Sequence, residues 1–187
     1  MEVEKINHPL YIIMGPSGSG KTKITELAFP KESKIVSYTT RKKRKGEQEG
    51  LDYYFVDREQ FEELINTGKL IEYDEYDGHY YGIGVEEIVR KTRSRSAYNA
   101  LTIKGFRTLA ARFGNQVVPI FLDVSRENSQ KRLKLRKDDK LSQEKRLAIF
   151  EQDQQIKEQL QQYKNLHVID GNQPLEKVVE ELKRIIE

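Results

Sequence analysis

Short apolar runs alternate with segments of helical periodicity along most of the chain. The apolar runs that predict buried strands are residues 10–14, 97–103, 117–124 and 166–169. The segments that predict helices are residues 21–29, 105–113, 126–136, 142–163 and 175–186. Strands that alternate with helices pair in parallel through right-handed crossovers, so the pattern predicts an α/β fold with a parallel core sheet flanked by helices.

Residues 34–84 interrupt this alternation. They contain short strand patterns at 34–37 and 53–56, a helix pattern at 58–66, and two strand patterns at 70–76 and 80–81 that an Asp77-Gly78 turn signal joins. This segment therefore predicts a small hairpin-rich insert in the α/β core.

A complete phosphate-binding loop follows the first predicted strand. The pattern is glycine, four residues, then Gly-Lys-Thr, and its members are Gly15, Pro16, Ser17, Gly18, Ser19, Gly20, Lys21 and Thr22. Backbone N–H groups at the start of the next helix favour a polyphosphate. Lys21 is placed to reach the β- and γ-phosphates, and Thr22 to hold a magnesium ion. A Gly/Ser surface turn is the competing interpretation, but the flanking strand and helix favour a nucleoside triphosphate site.

The composition narrows the functional class. Among 187 residues, 33 basic side chains nearly balance 30 acidic ones, for a net charge of +3, which argues against a dedicated nucleic-acid binder. The absence of cysteine excludes disulfides and thiol catalysis. No apolar run has the length of a membrane span and no signal-peptide core is present, so we expect a cytoplasmic enzyme without membrane or nucleic-acid partners. His8, His79 and His167 have no metal-ligand spacing.

A second anion site is predicted within the insert. Arg41 and Arg44 lie three residues apart in a run of five cations, with Ser37 before them and Tyr53 after them. Such a set can hold a phosphate through charge-assisted hydrogen bonds, although a run of cations is ordinarily a solvated surface.

An acid further along the chain, Glu72, suggests a base-binding site. The carboxylate of Glu72 can accept two hydrogen bonds from a purine that presents two donors side by side, as guanine does and adenine does not. Taken alone, Glu72 is more typically an exposed strand charge, and Tyr81 more typically a packing residue.

These motifs together resemble the guanylate kinase family over nearly the whole chain. The similar stretches are Gly15 to Lys21, Ser37 through Tyr53, Leu70-Ile71-Glu72 and Tyr80-Tyr81-Gly82. The resemblance implies a phosphate-loop kinase core at about 1–33, 85–125 and 164–187, a GMP-binding insert at about 34–84, and a helical lid at about 126–163, all in a single domain.

The resemblance also implies an activity: phosphorylation of GMP or dGMP to GDP by ATP with Mg²⁺, in a monomer or homodimer. It implies that catalysis uses Lys21, Arg41, Arg136 and Arg146, and that Arg132 and Arg136 of the lid bind ATP. The implied GMP-binding residues are Ser37, Arg41, Arg44, Tyr53, Glu72, Tyr81 and Thr102.

The chain departs from the family pattern in three respects. Ile83 replaces a hydroxyl residue that helps hold guanine, Ala100 and Thr102 replace two acids, and the lid has Arg136 followed by Lys137 and Asp138. A catalytically weak or inactive module that binds nucleotide or a phosphorylated partner is therefore the alternative, while the intact Lys21 favours an enzyme.

Overall fold

The computed structural model describes residues 5–16, 18–76, 78–135, 150 and 155–187. Its strands are β1 (Leu10–Met14), β2 (Ser37–Thr39), β3 (Tyr53–Phe55), β4 (Leu70–Tyr76), β5 (His79–Gly84), β6 (Ala97–Ala100), β7 (Val117–Asp123) and β8 (His167–Asp170). Its helices are α1 (Lys21–Ala28), α2 (Arg58–Asn66), α3 (Val85–Lys91), α4 (Ile103–Phe113), α5 (Arg126–Leu135), α6 (described over 155–160) and α7 (Leu175–Ile186). Short 3₁₀ helices cover Lys31–Ser33 and Gly114–Gln116.

The strands form two four-stranded sheets. The core sheet has the order β6-β1-β7-β8, and β7 pairs in parallel with β8. The predicted α/β fold with a parallel core sheet is thus confirmed. The second sheet, with the order β3-β2-β5-β4, lies wholly within the predicted insert and includes the antiparallel β4–β5 hairpin. Among the described residues, no helix combines the length and the apolar character that crossing a membrane requires.

The chain divides into two compact units. The first contains Met1–Leu10, Glu32–Asn99 and Lys104–Val117, and the second contains Tyr11–Lys31, Ala100–Ile103 and Val118–Glu187. We call them the insert unit and the loop unit, after the second sheet and the phosphate loop that they respectively hold.

The core of the loop unit forms between β1 and the helices α1 and α7. Tyr11 packs its ring at 5.9 Å from that of Phe29 and donates a hydrogen bond to the carbonyl of Ile185 at 3.2 Å. Ile24 of α1 and Leu182 of α7 are almost completely buried. This apolar packing anchors the helix that follows the phosphate loop.

Strand pairing assigns the side chains of the second sheet to two faces. Opposed residues of paired strands share a face, and residues two apart along a strand return to it. By this rule one face, which we call the Ser37 face, carries Ser37, Thr39, Tyr53, Phe55, Glu72, Asp74, Tyr81 and Ile83. The opposite face packs on α2, where Phe61 stacks with Tyr80 at 5.4 Å and contacts Tyr73 at 6.5 Å. Gly82 lies on this second face, because a Cβ there would lie only 3.0 Å from the Phe61 ring.

A bulge in β4 reverses the alternation of its side chains. Leu70 is opposite Gly84 but Glu72 is opposite Ile83, so the chain gains one residue between them. Leu70 consequently packs on the Phe61 side, near Gly82, while Glu72 lies on the Ser37 face.

Two predicted strand boundaries were wrong. The strand predicted at 97–103 ends at Ala100, and Ile103 already belongs to α4. The helical spacing of Phe106, Leu109 and Phe113, all buried, therefore extends further towards the N-terminus than we expected, and Thr102 precedes the helix as residues of its type commonly do. The strand predicted at 34–37 is instead β2, which begins at Ser37 and continues to Thr39.

Candidate active site

The phosphate loop has a conformation that only glycine readily adopts. Gly15, Gly18 and Gly20 have φ angles of 145°, 79° and 99°. A Cβ on Gly15 would lie 2.6 Å from the carbonyl oxygen of Leu122 in β7, so this glycine also permits close packing of the loop on the core sheet. Gly20 immediately precedes α1, which places the end of the loop at a helix N-terminus.

The Lys21 ammonium lies against the loop that precedes it. It donates hydrogen bonds to the carbonyl oxygens of Gly15 at 2.6 Å and Pro16 at 3.0 Å, and lies 3.4 Å from the hydroxyl of Ser19. These contacts hold the positive charge of Lys21 against the loop.

The loop offers a limited set of metal ligands. Thr22 is exposed in the first turn of α1, and the described residues include no cluster of three or more His, Cys, Asp or Glu side chains that could bind a metal ion. This donor set fits Mg²⁺, which proteins commonly bind through one or two side chains together with substrate phosphates.

Arg132 of α5 joins the phosphate loop to a second loop in the same unit. Its Nη1 donates to the carbonyl of Ser19 and its Nη2 to that of Gly171, both at 2.7 Å. Burial lowers the pKa of Arg132 below its ordinary value. The motif did not predict the contact with Gly171, because it depends on the packing of α5 after β7.

In the insert unit, Arg41 is surrounded by an acid and aromatic rings. Its guanidinium makes a two-point ion pair with Glu47, with Nη1–Oε2 and Nη2–Oε1 distances of 3.0 and 2.7 Å. It also lies 5.3 Å from the centre of the Tyr53 ring, which in turn contacts the Tyr81 ring at 5.9 Å. The contacts with Glu47 and then Tyr81 raise the pKa of Arg41, whereas burial opposes this rise. Sequence reasoning did not assign a role to Glu47.

The other two predicted phosphate-binding residues of this unit have different surroundings. The hydroxyl of Ser37 is buried and accepts a hydrogen bond from Asn99 Nδ2 at 3.1 Å. Arg44 is exposed, and its backbone N–H donates to Glu47 at 2.7 Å. The structure therefore brings Arg41, Tyr53 and Tyr81 into one cluster, with Arg44 at its exposed edge.

Glu72 is a buried side chain and not an exposed strand charge. It is 7% exposed, and its carboxylate makes no hydrogen bond or ion pair to another described residue. Burial, followed by the charge of Asp74, raises the pKa of Glu72 to about 7, while Lys104 opposes the rise. A Cβ on Gly105 would lie 2.8 Å from Glu72 Oε1, so the glycine leaves room for this carboxylate.

The three departures from the family pattern differ in how far the structure describes them. Ile83 is 1% exposed and lies opposite Glu72 in the β4–β5 hairpin. Ala100 ends β6 and is exposed, as is Thr102 just before α4. Arg136 and its two following residues, together with Arg146 and Ser17, lie outside the described residues.

Comparisons with known proteins agree with this geometry. The family profile described as guanylate kinase matches residues 7–187. The chain is 34% identical over 184 residues to a guanylate kinase of Mycoplasma genitalium, covering 95% of this chain and 74% of that protein. It is 30% identical over 181 residues to one of Legionella pneumophila, with coverage of 95% and 84%. It also resembles the crystal structure of guanylate kinase from Anaplasma phagocytophilum, with a TM-score of 0.66 and 28% identity, over 97% of this chain and 86% of that one. The chain therefore belongs to the guanylate kinase family.

Proposed function

We propose that this chain transfers the γ-phosphoryl group of ATP to GMP or dGMP. The observation that carries the proposal is the complete phosphate loop, with the Lys21 ammonium held at 2.6 Å from the Gly15 carbonyl, in a member of the guanylate kinase family. In the reaction an oxygen of the GMP phosphate forms a bond to the γ-phosphorus, the bond from that phosphorus to the β–γ bridging oxygen breaks, and GDP and ADP result.

The chain's own residues supply charge and orientation for this transfer. In the proposal, Lys21 neutralises the β- and γ-phosphates, and Thr22 holds Mg²⁺, which would add positive charge next to the same phosphates. The acceptor is already a phosphate oxygen, so no strong general base is needed. The ATP-site roles of Arg132, Arg136 and Arg146 stay predictions.

The acceptor is held by the cluster on the insert unit. We propose that Arg41, with Tyr53, Tyr81, Ser37 and the exposed Arg44, binds the GMP phosphate. Arg41 is oriented for this role by Glu47, because a guanidinium fixed at two nitrogens holds its remaining N–H donors in defined directions. The ionised carboxylate of Glu72, buried and without a hydrogen-bonding partner in the described chain, accepts the two N–H donors of guanine.

A binding module without turnover is the second candidate. The lack of carboxylates at the exposed positions Ala100 and Thr102 favours it, because the family uses acids there. The intact phosphate loop favours the enzyme, since a module that only binds GMP or a phosphorylated partner has no use for Lys21.

An ADP-release assay with ATP and Mg²⁺ separates these candidates when GMP, dGMP, AMP, CMP and UMP are compared as acceptors. We expect ADP release with GMP and dGMP, and its loss by about a hundredfold or more in Lys21→Ala. Lys23→Ala is the matched control, since Lys23 is an exposed lysine of the same helix and should leave the rate unchanged. Binding of GMP without ADP release in the parent protein would instead support the binding module.

A further inference from the structure

Glu72 has two charged neighbours that lie near it for different structural reasons. Asp74 lies two residues further along β4, so both side chains are on the Ser37 face of the sheet. Lys104 is in the first turn of α4, next to Gly105, whose position leaves room for the Glu72 carboxylate. Lys104 Nζ lies 3.6 Å from Asp74 Oδ1, so the two neighbours form an ion pair beside Glu72.

The residues of β5 that face Glu72 and Asp74 are neither acids nor bases of the Asp, Glu, Lys or Arg type. On β5, the residue opposite Glu72 is the aliphatic Ile83, and the residue opposite Asp74 is the phenol Tyr81. Within the described part of the chain, Asp74 and Lys104 are the groups whose charges act on Glu72: Asp74 raises the pKa of Glu72, beyond the larger effect of burial, and Lys104 lowers it.

The charge of Glu72 decides which base it can pair with. As a carboxylate it only accepts hydrogen bonds, which matches the adjacent N–H donors of guanine. As a protonated acid it donates one hydrogen bond and accepts another, which matches the N1 acceptor and N6 amino group of adenine. Ile83 adds no polar group that would restore discrimination.

We propose that Asp74 and Lys104 are specificity-determining residues, which set the strictness of guanine recognition through opposite electrostatic effects on the Glu72 carboxylate. Lys104 favours the ionised form and strict guanine binding. Asp74 opposes ionisation and relaxes the choice of purine as the pH falls. This inference rests on the proposed GMP-binding role of Glu72 and adds two residues that the reaction itself does not require.

The test is calorimetric binding of GMP and of AMP to the parent, Asp74→Asn, Lys104→Met and the double variant, at several pH values. Near pH 6 we expect Asp74→Asn to bind GMP about two- to fivefold more tightly than the parent, because more of Glu72 is ionised. Near pH 7 we expect Lys104→Met to bind GMP about twofold more weakly, a small effect because the lysine is largely exposed. AMP affinity should change in the opposite direction in each variant.

Two features separate this electrostatic effect from a structural one. The GMP affinities of all variants should converge with that of the parent near about pH 8.5, where Glu72 is ionised in each of them. The double variant should lie near the parent at every pH, and Glu72→Gln should lose the pH dependence. Comparing variants with the parent at each pH cancels the titration of the GMP phosphate.

The inference would be overturned if the ratio of each variant's GMP affinity to that of the parent did not depend on pH, or if both single variants changed the GMP affinity in the same direction. The proposed function would stay intact in either case. A parent protein that fails to bind GMP at every pH would overturn both. A parent that binds GMP and releases ADP but shows unchanged pH profiles in the variants would overturn the inference alone.

Discussion

Glu47 holds Arg41 through both of its terminal nitrogens, at 2.7 and 3.0 Å, and at the same time accepts the backbone N–H of Arg44 at 2.7 Å. One carboxylate therefore holds the side chain of Arg41 and the backbone of Arg44. Its contact with Arg41 is the main reason that the pKa of Glu47 is lowered.

Glu47→Gln should weaken GMP binding although it removes a negative charge from an anion site. A neutral amide cannot accept from both guanidinium nitrogens, so the orientation of Arg41 is lost, and we expect about a three- to tenfold loss of affinity by calorimetry. Glu63→Gln, at an exposed acid of α2, is the matched control. Equal or tighter GMP binding in Glu47→Gln would mean that Glu47 competes with the phosphate for Arg41 instead of orienting it.

Arg132→Lys should destabilise the loop unit and weaken ATP binding. A lysine can donate to the carbonyl of Ser19 or to that of Gly171, but it lacks the planar fork that reaches both. We expect a loss of about 1–3 kcal/mol in the free energy of unfolding, because a buried carbonyl loses its partner. Chemical denaturation and ATP titration measure the two effects, with Lys131→Ala at the neighbouring exposed position as the control. Unchanged stability and ATP affinity would contradict the bridging role.

Stability without ligand should depend on pH through Glu72. Its pKa in the folded protein, about 7, lies above the ordinary value of 4.5, so the folded state binds the proton more tightly than the unfolded state. The contribution to stability is complete below about pH 4.5 and is lost as the pH rises through about 7.

Glu72→Gln removes this dependence. As the pH rises from about 4.5 to above 7, we therefore expect the free energy of unfolding of Glu72→Gln to decrease less than that of the parent, by a difference on the order of 3 kcal/mol or less. Denaturant unfolding at several pH values measures it, and Glu63→Gln should follow the parent. Parallel pH profiles for the parent and Glu72→Gln would show that the carboxyl titrates normally.

Restoring the two acids should accelerate turnover with GMP. We expect Ala100→Asp with Thr102→Asp to raise the steady-state rate about tenfold or more, because slight misplacement of a reactant can cost a hundredfold. Both positions are exposed, and an aspartate directly before α4 is favourable at a helix N-terminus. Asparagine at both positions provides a control of the same size without charge. If the Asp variant binds both nucleotides but is no faster than the parent, the missing acids do not limit this protein.

Local sequence patterns were sufficient to predict the phosphate loop and much of the architecture. The loop depends on glycines and a lysine that are close together in the chain, and α2 and α7 have the predicted bounds because their apolar spacing is regular. The contacts that complete each site were not predictable in this way. Arg132 meets Ser19 across 113 positions, and Gly105 leaves room for Glu72 only because α4 packs there. Such neighbours follow from tertiary packing, which a one-dimensional pattern does not specify.

The bulge in β4 makes the insert unit unequally tolerant of changes in chain length. Lengthening the turn between β4 and β5 would leave every pairing along the hairpin in place. Deleting Ile71, the extra residue between Leu70 and Glu72, would remove the bulge and leave these two side chains adjacent and on opposite faces, as they already are. Deleting Tyr73 would instead bring Glu72 opposite Gly82, on the face that packs against Phe61. A single deletion at position 73 would therefore move the acid away from the Ser37 face while leaving the Leu70-Ile71-Glu72 motif intact.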